Sequence, residues 1–167
     1  MKHYICRRVG QAELESLVML AEAEEKRFFS DNPHLKRPYR KRLIAAALCQ
    51  GAALQYLGRG YGVNDFDVHF FYSQNPQKLR LTRAVKRIRA TVGSFKDIPV
   101  DFIRTVIPAR MCSPGQDGVE LLRAFLGKTP TDNARYLAKK AVIGLLPRKL
   151  LGRTIWVLKN AGRAASA

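Results

Sequence analysis

Acidic residues are scarce in this chain once its first 31 positions are passed. Six of the 13 Asp and Glu stand there: Glu13, Glu15, Glu22, Glu24, Glu25 and Asp31. From Asn32 onward seven acids face 25 Lys and Arg, and the 167 residues together carry a net charge of +17. So large a surplus of one sign points to a polyanionic partner: nucleic acid, a nucleoside triphosphate or an anionic surface. Cysteine is scarce too. Cys6, Cys49 and Cys112 form no C-x-x-C pair and are odd in number, which argues against a disulfide framework and for a reduced, cytoplasmic setting. No apolar run approaches the roughly 18 residues of a membrane span. The opening MKHYICRRVG lacks an apolar stretch, so no secretory signal is expected. His3, His34 and His69 are scattered without zinc-ligand spacing. Eight Phe and six Tyr, with long apolar stretches, exclude a disordered chain.

What is present reads as an α+β protein of one domain over residues 1–167, a mixed sheet with flanking helices. Residues 11–29 put Leu14, Leu17, Val18, Ala21 and Phe28 on helical spacing with glutamates opposite, which predicts an amphipathic helix. LKRPYRKR (35–42) reads as a basic loop broken by Pro38, and KRLIAAALCQGAALQYL (41–57) as a buried helix. A glycine turn (58–64) precedes DFDVHFFYS (65–73), a strand. Residues 78–95 suit an exposed helix and a hairpin equally. IPVDFIRTVIP (98–108) reads as a central strand, and the core of the domain as residues 41–110. Residues 115–157 read as helical: a short helix at VELLRAFLGK and a longer one over 129–146 capped by Thr131 or Asp132, followed by a short helix or extended end.

The few acids of the basic region fall where they need a reason. Strand residues two apart share a face, so Asp65 and Asp67 point one way while Phe66, Val68 and Phe70 point into a core. Carboxylates so close repel unless a cation stands between them. A hard divalent ion such as Mg²⁺, or Mn²⁺ in its place, is held by one or two carboxylates together with substrate phosphates. Asp101 interrupts an apolar strand, where a charge is costly unless paired or metal-bound. Two explanations stand side by side: a cation site made by Asp65, Asp67 and Asp101, or an Asp101 paired with a neighbouring arginine and an Asp65 capping the glycine turn. His69 shares the face of the pair, either to touch a substrate or as a hydrogen-bonded partner in a polar cleft.

LCQGAALQYLGRGYGVNDFDV resembles the signature of the polymerase-β-like nucleotidyltransferase superfamily. That signature is an apolar residue, Gly and Gly or Ser at a turn, a spacer of about a dozen residues, and Asp-apolar-Asp on a strand. Gly51 takes the Gly/Ser place, and VDFI resembles the strand of the third carboxylate. Gln50 stands where the superfamily has its first glycine. LAKKAVIGL resembles the lysine-bearing helix of relatives that include nucleotidyltransferase-like toxins of abortive-infection systems. Across residues 45–157 the chain is similar to a group of bacterial proteins of that superfamily. The resemblance implies catalysis on two Mg²⁺ ions held by Asp65, Asp67 and Asp101, with a nucleoside triphosphate as substrate. It also implies that Gly51, Lys140 and, as a further cation, Arg104 bind the nucleotide.

Segments 36–42 and 78–89 hold eleven Lys and Arg and no acid, with Tyr39 among them. Lys36, Arg37, Arg40, Lys41, Arg42, Arg83, Lys86 and Arg87 are therefore candidates for one positive surface flanking the carboxylates and holding RNA, tRNA included, by its phosphates. An acidic protein is the other partner such a surface fits. Two functions follow: a Mg²⁺-dependent nucleotidyltransferase, or a basic nucleic-acid-binding protein that keeps the fold without the chemistry.

Overall fold

The computed structural model describes residues 7–60, 62–77, 79–81, 85–128 and 140–158. As expected, the architecture is α+β. Six strands form one mixed sheet: β1 (Leu43–Cys49), β2 (Phe66–Ser73), β3 (Lys86–Val92), β4 (Phe95–Ile107), β5 (Ala141–Leu146) and β6 (Thr154–Val157). Their order is β3-β4-β2-β1-β5-β6, and β2 and β4 run parallel while the other described pairs are antiparallel. Among the described residues four helices flank them: α1 (Gln11–Asp31), α2 (Pro33–Tyr39), α3 (Gln50–Tyr56) and α4 (Gly118–Lys128). No helix among the described residues is long and apolar enough to cross a membrane.

The sheet is covered on both faces. Leu14, Leu17, Val18, Ala21 and Phe28 of α1 pack with Ala52 and Ala53 of α3 against Val68, Phe70, Tyr72, Val100 and Phe102. Val119, Leu122 and Phe125 of α4 pack on Ala45, Ala47, Cys49, Phe71 and Val142 on the other face. Two segments expected to be helical are strands for this reason. LIAAALC is a middle strand whose Ala45, Ala47 and Cys49 serve one face and Ala46 and Leu48 the other. Both faces being apolar, no alternation survives in the sequence. AVIGLL, all six residues buried, is β5 rather than the end of a helix over 129–146; residues 129–139 lie outside those described. Among the described residues the C-terminal part contains α4 and two strands, with 3-10 turns at Ala109–Met111 and Arg148–Leu150.

Of residues 35–42, expected as loop, 35–39 lie in α2 despite Pro38. A helix this short forfeits a single backbone bond to that proline, and it buries Leu35 and Tyr39, four residues apart on one face. Residues 86–92, left open between helix and hairpin, are an edge strand paired with β4. Glu13 ties its turn to α1: the carboxylate accepts from the Gly10, Ser94 amides at 2.9 Å each and from the Ser94 hydroxyl at 3.1 Å.

A buried ion pair lies behind the sheet. Arg104 of β4, 3% exposed, is 3.2 Å from Glu24 of α1, with its guanidinium 3.7 Å from the Phe28 ring centroid and 4.9 Å from that of Phe70. Glu24 keeps a second partner in Arg27 at 2.7 Å. The arginine therefore contributes both its charge pairing and its stacking between two rings. Arg104→Ala is expected to lower the unfolding free energy by about 3 kcal/mol in denaturant titrations, through a cavity and a lost pair. Arg104→Met, which fills the space, should lose less.

Candidate functional site

One end of the sheet gathers most of the residues singled out above. The end of β1 (Cys49) lies opposite Asp67 of β2 on one side and Val142 of β5 on the other, so Gln50 and Gly51, Asp65 and Asp67, and Lys140 share this edge. On the parallel neighbour β4, Asp101 stands in register with Asp67. In-register residues of paired strands project to the same face, so both carboxylates point to the side that α4 covers further along. Asp67 is half-buried and Asp101 is 7% exposed. Burial, then the charges of Asp65 and Asp101, push the Asp67 carboxyl up to about 6, against the opposing pull of Lys140 and Arg87.

Gly51 faces Lys140: a Cβ built on the glycine would lie 4.0 Å from the lysine Nζ. Lys140, expected on a helix, instead precedes β5 and is exposed. Gln50 has a left-handed backbone with φ 65°. Glycine reaches that region without penalty, whereas any other L-residue pays of order 1 kcal/mol. The turn thus takes a conformation that glycine would adopt more readily than glutamine.

The cation in contact with the carboxylates is Arg87. β3 pairs with β4 so that Arg87 stands opposite Asp101, and its guanidinium grips that carboxylate with both oxygens, Nε to Oδ1 at 2.7 Å and Nη2 to Oδ2 at 2.6 Å. Nη2 also lies 3.8 Å from Asp65. The hydrogen bonds that Arg87 donates to Asp101 hold the guanidinium proton more firmly than usual. Asp101 is therefore an arginine partner, as one of the two sequence readings had it. Among the described residues no group of three or more His, Cys, Asp or Glu is arranged to hold a metal ion.

Other expectations change place. Arg104, a nucleotide-binding candidate, points to the opposite face of the sheet from Asp101, since odd and even residues of β4 alternate; it is held among Glu24, Phe28 and Phe70. Segment 36–42 does not flank the carboxylates. Its end adjoins the far end of β2, where the Ser73 amide donates to the Arg42 carbonyl, six residues or about 20 Å of strand from Asp67. It adjoins residues 79–81 there, since Tyr39 Oη donates to the Leu79 carbonyl. Arg83 lies outside the described residues, and Arg87 is engaged with Asp101 and Asp65.

His69 does share the face of Asp67, but it is buried, 6.0 Å from a stacked Phe71, and neither ring nitrogen has a hydrogen-bond partner among the described residues. Burial lowers its proton affinity to about 4, so the ring is neutral at neutral pH. The role of Arg87 escaped the sequence because it depends on the register of β3 against β4, which residues 78–95, suited equally to a helix and a hairpin, do not disclose. The chain matches no protein-family model, no curated protein and no solved structure.

The raised Asp67 carboxyl has a measurable consequence. Its cost is absent below the unfolded-state value near 3.8, where both states are protonated, and is complete above about 6. In metal-free buffer, Asp67→Asn should therefore match the wild type near pH 3.5 and exceed it above pH 7. The expected gain is roughly 1–2 kcal/mol, after discounting for partial exposure, or about 2–8 °C in Tm.

Proposed function

We propose that this chain is a divalent-cation-dependent nucleotidyltransferase that moves a nucleoside monophosphate from a nucleoside triphosphate to an acceptor, with RNA as the acceptor class. The observation that carries this reading is the convergence of Asp65, Asp67, Gly51 and Lys140 on one sheet edge, with Asp101 in register beside Asp67. An all-oxygen, mutually repelling carboxylate pair suits Mg²⁺ or Mn²⁺, which needs only one or two protein carboxylates when phosphates complete its shell. Asp65 and Asp67 are the residues that would hold it. Bound there, such an ion supplies charge neutralisation at the phosphates and acidifies an attacking hydroxyl. The protein's own part is placement: Lys140, exposed beside Gly51, meets triphosphate charge, and the glycine leaves room for phosphate to approach.

The second reading, a basic nucleic-acid-binding protein without catalysis, is favoured by the Arg87–Asp101 pair, which satisfies that carboxylate without any metal. Both readings use the charged patch of α2. Lys36, Arg37, Arg40 and Lys41 are exposed, stand beside exposed Arg80, and form no ion pair among the described residues. Separated from the carboxylates by about 20 Å of strand, this patch suits a long polyanion better than the triphosphate itself.

Two measurements separate the readings. Incubation with α-labelled triphosphates, Mg²⁺ and total RNA should transfer label in the wild type and not in Asp67→Asn. Equal transfer by both removes the enzyme. No transfer by either, with RNA still bound, leaves the binding protein. Lys36→Ala/Arg37→Ala/Arg40→Ala should weaken RNA binding and reduce the salt slope by about one unit per lost contact. Unaltered RNA affinity and slope would move the search for a partner to acidic proteins.

A further inference from the structure

We infer that Arg87 is a resident cation of the carboxylate centre: it fixes Asp101, leaves room for one divalent ion at Asp65 and Asp67 rather than two, and offers its outer edge to a substrate phosphate. The inference rests on the metal-and-triphosphate reading proposed above and sharpens it.

Asp101 cannot stand alone. Its side chain is 10% exposed, in a strand whose neighbours are apolar, and a charge so buried requires a partner. The β3–β4 register supplies one by placing Arg87 opposite it, and the two bonds of 2.7 and 2.6 Å form the parallel fork that guanidinium and carboxylate make. The same Nη2 reaches 3.8 Å from Asp65, so the guanidinium lies between two of the three carboxylates. A second divalent ion bridging Asp101 to the others would have to take the space that Arg87 fills.

The guanidinium is also turned outward. The Arg87 side chain is 61% exposed, unlike the carboxylate it holds. Of its five N–H groups, one on Nε and one on Nη2 are used by Asp101, and Nη1 has no partner among the described residues. Two donors in a fixed plane remain for phosphate oxygens, the geometry that distinguishes arginine from lysine. Arg87 differs in this from Arg89, its neighbour but one, which is committed to Asp97, an exposed residue near the start of β4.

The test is Mn²⁺ binding by electron paramagnetic resonance, with thermal melts in EDTA and in Mn²⁺, on the full-length wild type, Arg87→Ala and Arg87→Lys. The wild type should bind one Mn²⁺. Arg87→Ala should melt about 5 °C lower in EDTA because Asp101 is left unpaired, recover in Mn²⁺, and take a second ion. It should also bind a non-hydrolysable triphosphate analogue at least about tenfold more weakly at saturating Mn²⁺, as loss of a charged donor pair implies. Arg87→Lys, which keeps the charge but not the fork, guards against a variant that fails to fold: one Mn²⁺, with weakened analogue binding. Two Mn²⁺ on the wild type would overturn the inference while leaving the metal reading intact. An Arg87→Ala protein that binds no second ion and whose melting Mn²⁺ does not restore would also overturn it. No Mn²⁺ on any of the three proteins would overturn both.

Discussion

Three aspartates drawn to one end of a parallel strand pair must be matched by positive charge, and the surrounding structure is arranged about that requirement. The register of β2 with β4 brings Asp67 beside Asp101, and the turn before β2 adds Asp65. Arg87 answers from β3, Lys140 from the approach to β5. Neither cation comes from a neighbouring position in sequence, so the centre exists only once the sheet is assembled. Glu13, which anchors the β3–β4 turn to the start of α1, helps to hold the strand that carries Arg87. Arg104 serves the opposite face, where it and Glu24 join β4 to α1 among aromatic rings. The two arginines thus stabilise two sides of the same sheet by different means: one nearly dry and stacked, the other half in water and gripping a carboxylate.

The sequence discloses the carboxylate strand because its two faces differ. In DFDVHFF the alternation of Asp with Phe and Val marks one polar and one apolar side, and the prolines around IPVDFIRTV set off the neighbouring strand. Where both faces are covered, that signal is lost. β1 and β5 are continuous apolar runs, rich in the alanine and leucine that favour helices, and only the layers of α1, α3 and α4 around them decide for strand. The basic segments show the converse difficulty. Charge marks residues 36–42 and 78–89 as exposed, but nothing local says that one lies at the far end of β2 while part of the other reaches back to the acids.

The distribution of charge follows the same division. At the acidic end of the sheet, positive groups are mostly committed: Arg87 to Asp101 and Asp65, Arg89 to Asp97. Around α2, where acids are missing, Lys36, Arg37, Arg40 and Lys41 face solvent. Among the described residues the chain thus neutralises its carboxylates at one end of the sheet and leaves its cations exposed around α2.

If Asp67 holds a divalent cation, as proposed, its own carboxyl reports on that most directly. Carbon-detected nuclear magnetic resonance of the Asp67 side chain across pH, with and without Mg²⁺, measures it. The account predicts a midpoint of about 6 in metal-free buffer that falls when Mg²⁺ is added, because the ion favours the ionised form. A midpoint near the ordinary aspartate value of about 3.9, unmoved by Mg²⁺, would contradict it.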